Sequence, residues 1–137
     1  MKKCVSAVLC IALALSICTH ATAATPDELW LAAESLREQG IMVGDQTGSL
    51  HLDDSLTRAE LAAILCRLRV NQEHIAAEEA LYTRYCTFPD VPDWARVYVG
   101  YCAFNGLMVG YDTGPFGASD SVTPAAACTV VLRHLGI

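Results

Sequence analysis

Apolar residues along this chain recur at three- and four-residue spacing, in runs opened by capping residues and in two cases closed by glycine. Leu29, Ala32, Ala33 and Leu36 follow Thr25-Pro26-Asp27-Glu28, which supplies a Thr N-cap, a Pro at the first helical position and a Glu placed to close a capping box. Gly40 then offers a left-handed stop. Leu61, Ile64, Leu65 and Leu68 follow Thr57-Arg58-Ala59-Glu60, a second capping box. Asp93-Trp94-Ala95 opens a third helix with the stripe Val97, Tyr101 and Phe104 and a stop at Gly106, and Thr123-Pro124 opens a fourth. The polar stretches 44–54 and 110–120 read as loops, each entered from a β-favouring Val43 or Val109 compatible with a very short extended segment. The pattern predicts an all-α fold of two helix-loop-helix units, 24–70 and 87–137, joined by a connector helix over 71–86 that ends in the turn Thr87-Phe88-Pro89-Asp90-Val91-Pro92.

The two units repeat each other at an offset of 66 residues without a gap. Gly40-Ile41-Met42-Val43-Gly44 returns as Gly106-Leu107-Met108-Val109-Gly110, and 11 of the 28 positions from Gly40 to Arg67 are identical to their partners. A fixed-period echo marks two copies of one structural unit. At the second helix start the copies differ: Thr57-Arg58-Ala59-Glu60 against Thr123-Pro124-Ala125-Ala126. Both keep the cap, so the guanidinium of Arg58 is the feature that folding leaves least explained.

Residues 1–23 read as a secretory leader: Lys2 and Lys3, an apolar stretch of 13 residues from Val5 to Ile17, and Ala21-Thr22-Ala23. The stretch is short of the roughly 20 residues a membrane span needs, and no span is expected later. Removing the leader takes both lysines and moves the formal charge from −6 to −8. An acidic, lysine-free surface argues against nucleic acid and anionic membranes as partners, so an anionic ligand would be met by a local Arg. Cys66, Cys86, Cys102 and Cys128 sit in apolar runs and read as buried small hydrophobes in preference to disulfides, with Cys102 and Cys128 the pair to test. No metal or cofactor is expected: there is no Cys/His cluster at zinc spacing, and Asp45 to Asp54 lacks the alternating acids and closing Glu of a calcium loop.

Phe88-Pro89-Asp90-Val91-Pro92-Asp93-Trp94-Ala95, Gly106-Leu107-Met108-Val109-Gly110, Gly114-Pro115-Phe116 and Arg133-His134-Leu135-Gly136, with Leu56-Thr57-Arg58-Ala59-Glu60 in the first unit, together resemble the surface-layer homology (SLH) domain family in two tandem copies. The resemblance implies a helical module on exported bacterial proteins that holds them to anionic, often pyruvylated, cell-wall polysaccharide, and it carries the role of main ligand contact to Arg58. Guanidinium geometry suits a carboxylate. Trp94 offers an aromatic face to a sugar ring, although a Trp in the first turn of a buried helix is more often core. Gly44 lets a saccharide approach the backbone, and a turn requirement explains it equally well.

The leading expectation is therefore a secreted, non-enzymatic SLH protein of the bacterial cell wall, binding polysaccharide through Arg58, Trp94 and Gly44. The alternative is an interaction module in which two units complete the family's three-unit spindle with another SLH chain or by self-association. An enzyme is the reading least supported: His51, His74 and His134 stand in no motif with a nucleophile, and His134 reads as a helix-end residue near the C-terminal dipole.

Overall fold

A computed structural model describes residues 25–136; the leader expected at 1–23 lies outside them. The described part is helical: α1 (Pro26–Glu38), α2 (Arg58–Arg69), α3 (Gln72–Ala77), α4 (Glu79–Tyr85), a 3-10 turn (Asp93–Ala95), α5 (Arg96–Phe104) and α6 (Pro124–Leu135). The chain parts into two compact units between Ala32 and Ala33. In the first, Glu28 accepts from the Thr25 backbone and hydroxyl at 2.9 Å each, the expected capping box. All remaining elements lie in the second unit.

The repeat is written into the backbone. Gly40 and Gly106 are left-handed (φ 69° and 66°). Ile41 N and Met42 N donate to Leu36 O, and 66 residues on Leu107 N and Met108 N donate to Cys102 O. The loops match too: Asp45 N to Ser49 O pairs with Tyr111 N to Pro115 O, and Asp54 N to His51 O with Asp120 N to Gly117 O. No strand forms after Val43 or Val109. The extended pairing among the described residues is a single antiparallel bridge between Thr57 and Ser121, where the start of one copy's second helix meets the other copy's loop.

The connector is two short helices rather than one. Asn71 caps α3 by accepting from His74 N at 2.9 Å, and Glu78 breaks the helical path (φ −108°, ψ 15°) before α4 begins. The break lets α4 lie along α5 at backbone contact: a Cβ on Gly100 would sit 1.8 Å from Tyr82 O. This packing also sets which face of α5 is buried. Tyr98, Val99, Tyr101 and Cys102 turn inward, whereas Phe104, expected in the stripe, is half-exposed against Tyr85. Trp94, read both as a sugar-facing ring and as a core residue, is 54% exposed, because Ala95 takes the inward position of the 3-10 turn.

Phe116, Leu107, Val99, Cys66, Cys86 and Cys102 are the largest fully enclosed side chains. The four cysteines among the described residues, Cys66, Cys86, Cys102 and Cys128, are free thiols; Cys102 Sγ contacts Ala62 O at 3.5 Å across the α2–α5 packing, so it is not bridged to Cys128. Burial pushes the Cys66 thiol up to about 12, which leaves it unreactive. Cys128 departs from the buried expectation, being exposed on α6. So do its neighbours: Ala59, Ala62, Ala63 and Cys66 of α2 are at most 3% exposed, yet the aligned Ala125, Cys128, Thr129 and Leu132 of α6 are all exposed.

Candidate functional site

Arg58 is the first residue of α2, and every backbone donor at that helix start is already used. Thr57 N donates to Glu60 Oε2 (2.8 Å) and Glu60 N to Thr57 Oγ1 (3.3 Å), closing the capping box. Arg58 N and Ala59 N donate across the repeat, to Asp120 O (2.9 Å) and Ala118 O (3.1 Å). The helix terminus therefore has no N–H left for an anion. Any anion-binding capacity lies in the side chain.

That side chain reaches into the second copy and does not fold back on Glu60. Nε donates to Phe116 O at 2.9 Å and one Nη to Val109 O at 2.8 Å, while the guanidinium lies 4.8 Å from the centroids of both the Tyr111 and Phe116 rings. These contacts give Arg58 a structural role that its own helix start does not reveal, joining the two copies of the repeat in a half-buried setting where lost hydrogen bonds are costly. Phe116, fully buried, is held in turn by Asp90. Its carboxylate accepts from the N–H groups of Phe116 (2.8 Å), Gly117 (2.7 Å) and Ala118 (3.0 Å). Desolvation works to raise the Asp90 pKa, but the backbone donors outweigh it and hold the carboxyl below its ordinary value. Gly117 is required here: it is left-handed (φ 74°), and a Cβ would lie 2.5 Å from both Asp120 Oδ2 and the Tyr111 ring. Tyr111 Oη donates to that Asp120 carboxylate at 2.9 Å.

Beside Arg58 is an open pocket of about 150 Å³, lined by Arg58, Met108, Val109, Ala126, Thr129, Val130 and Arg133. It holds two guanidinium groups, one hydroxyl, apolar walls and no carboxylate. Arg133 is exposed on the last turn of α6, and its guanidinium makes no hydrogen bond or ion pair with another described residue. Its repeat partner Arg67 is committed: it donates to Tyr98 Oη at 2.9 Å and lies 4.6 Å from that ring. Arg133 was missed in the sequence, although its identity with Arg67 at the repeat offset was a signal.

Trp94 and Gly44 do not line this pocket. Trp94 stands exposed in the 3-10 turn. Gly44 is explained by its own turn, since a Cβ there would lie 2.6 Å from Ser49 O. In the first copy's loop, His51 lies 2.9 Å from Asp45 through Nε2 and 3.5 Å from Asp54 through Nδ1. With both ring nitrogens turned to carboxylates, it is not poised as a metal ligand, and no His, Cys, Asp and Glu group that could hold a metal stands among the described residues. His134 is held toward its neutral form: burial and then the Arg69 charge lower its pKa, Arg69 Nε approaches its Nδ1 at 3.2 Å, and Arg69 Nη2 donates to its carbonyl at 2.6 Å. The C-terminus of α6 is thus met by Arg69 rather than by an imidazolium. No described helix is long and apolar enough to cross a membrane.

Comparison with known proteins finds sequence similarity to proteins of the bacterial cell wall and cell surface. The chain is 29% identical over 146 aligned positions to the middle cell wall protein of Brevibacillus brevis, an alignment covering 99% of this chain and 14% of that protein. It is 30% identical over 144 positions to the surface layer protein of Brevibacillus choshinensis, covering 99% and 13% respectively. Cell surface glycoprotein 1 of Acetivibrio thermocellus is 32% identical over 94 positions, covering 67% of this chain and 4% of its own length. The chain thus spans about a seventh of the first two relatives. No family model matches it, and no solved structure does.

Proposed function

We propose that this chain is a two-copy SLH module of an exported, non-enzymatic protein of the bacterial cell wall, and that it associates with anionic wall polysaccharide at the pocket beside Arg58. The observation that carries the reading is a carboxylate-free pocket with two arginines on a chain of net charge −6. An anion is the ligand class such a pocket selects, and the buried apolar side chains of Met108 and Val130 beside the two guanidinium groups strengthen the attraction. The similarity to a middle cell wall protein and a surface layer protein supports the same setting. The volume, well below the several hundred Å³ of a drug-sized site, suits one charged substituent or one ring rather than an enclosed oligosaccharide.

Co-sedimentation of the protein without residues 1–23 with purified bacterial sacculi tests this. Retention that weakens as salt is raised is expected. Recovery of all the protein in the supernatant at low salt would remove the wall-binding reading.

A second reading rests on the α6 face. Ala125, Cys128 and Leu132 are uncovered where the matching α2 residues are enclosed in the packing that includes α5. The occupant this comparison suggests is a helix from a second copy, giving concentration-dependent self-association. Light scattering between about 5 and 200 µM checks it (a range set by the micromolar affinities of modest interfaces). A rise in mass that Leu132→Glu abolishes is expected, and a constant monomer mass contradicts it.

A further inference from the structure

Resting on the reading of the pocket as a wall-binding site, we infer that its two arginines divide the work: Arg133 is the residue that grips the anion, and Arg58 is the positioning residue that builds the wall against which the anion is held. Arg58 has spent its most directional donors. Nε and one Nη are committed to Phe116 O and Val109 O, and the guanidinium carbon lies 4.8 Å from the centroids of both the Tyr111 and Phe116 rings. What it offers the pocket is its charge and one terminal nitrogen. Moving it to follow a ligand would break both carbonyl contacts between the copies.

Arg133 is the reverse case. Its side chain has no described partner, α6 carries no Asp or Glu to neutralise it, and it lines the same pocket from the opposite element. A guanidinium with no bond to another described residue can meet a carboxylate or phosphate edge-on with two parallel bonds. Thr129 on the same wall has donated its hydroxyl hydrogen to Ala125 O at 2.9 Å, so its oxygen faces the pocket as an acceptor and suits a ligand hydroxyl beside the anion. The ligand class is a compact oxyanion, a carboxylate or a phosphate, next to a hydroxyl on a longer polymer. The second copy, which lost the Arg at position 124, thereby supplies the gripping residue from the far end of the same helix.

The test is co-sedimentation with sacculi together with thermal denaturation, for wild type, Arg133→Gln, Arg133→Lys and Arg58→Gln. Arg133→Gln is expected to lose at least about tenfold in affinity, the worth of a charge-assisted pair, with Tm unchanged, and Arg133→Lys to recover part of it. Arg58→Gln is expected to lower Tm as well as binding. Sacculi whose carboxylates have been amidated and sacculi stripped of phosphodiester-linked polymer separate the two sources: loss of binding in one arm supports the inference and names the source, whereas retention in both overturns it. If wild type is retained by untreated sacculi and Arg133→Gln is retained equally, this inference fails alone. If wild type is not retained at all, the wall-binding reading fails with it.

Discussion

Arg58 shows how far a single residue can be read from its neighbours in sequence. Its helix start is legible because capping is local: Thr57 and Glu60 are three residues apart and make the contacts their spacing predicts. Its partners are not legible, because Val109 and Phe116 lie 51 and 58 residues away and offer backbone carbonyls that any residue would supply. The side chain looked dispensable to folding and is in fact a link between the copies. Arg58→Gln should therefore cost about 1–3 kcal/mol, the range for orphaning half-buried acceptors, seen as a Tm drop of several degrees by calorimetry. Trp94→Ala, at an exposed position, should shift stability by no more than about 0.5 kcal/mol in the same experiment.

His51 adds a pH dependence at the same scale. It holds a left-handed backbone (φ 48°) where the second copy has Gly117, and it does so between two carboxylates. The hydrogen bond to Asp45 is the main cause raising its pKa above the ordinary 6.5; the same bond is the main cause lowering that of Asp45 below 3.8. A raised His pKa contributes stability that is whole below 6.5 and is lost as pH rises through the folded value. A lowered Asp pKa contributes stability that is whole above 3.8 and lost as pH falls. The pair is thus most effective between about 4 and 6.5. The Tm gap between wild type and His51→Gln should be widest near pH 5.5 and shrink by pH 8.5, measured by thermal denaturation at each pH.

At the scale of elements, the helix starts and stops were legible and the buried faces less so. Thr and Gly act within one turn, so α1, α2 and α6 begin where the caps predict and the loops follow Gly40 and Gly106. The inward face of α5 depends on α4, and α4 exists as a separate helix because the chain breaks at Glu78. Period alone put Phe104 inside; in the fold it stays half-exposed against Tyr82 and Tyr85, and Tyr98 and Val99 are buried instead. Gly100 is the residue that makes this packing possible. Gly100→Ala should destabilise by about 3 kcal/mol or more, since the added carbon meets rigid backbone at Tyr82 rather than a movable side chain. Urea denaturation measures it, and a loss under about 1 kcal/mol would mean α4 is free to shift.

For the whole molecule, the two copies share a scaffold without sharing a site. The offset of 66 residues is kept in the glycines, the capping Thr and the loop hydrogen bonds. The chemistry departs from it: Arg58 has no counterpart at Pro124, Arg67 is absorbed by Tyr98 while Arg133 is left over, and Asp90 anchors the second loop where Asp45 and His51 fasten the first. The sequence pointed to Arg58 but also to Trp94 and Gly44, which the fold keeps out of this pocket, and it missed Arg133, which the fold brings in. We propose that each chain carries one anion site, built from both copies.

A titration of isotopically labelled protein lacking residues 1–23 with soluble fragments of wall polysaccharide, followed residue by residue by NMR, locates the site. Saturable shifts are expected, confined to Arg58, Met108, Val109, Ala126, Thr129, Val130 and Arg133 and their immediate neighbours. Shifts centred on the first loop, 44–54, or on Trp94, or the absence of any shift at saturating fragment, would contradict the proposal.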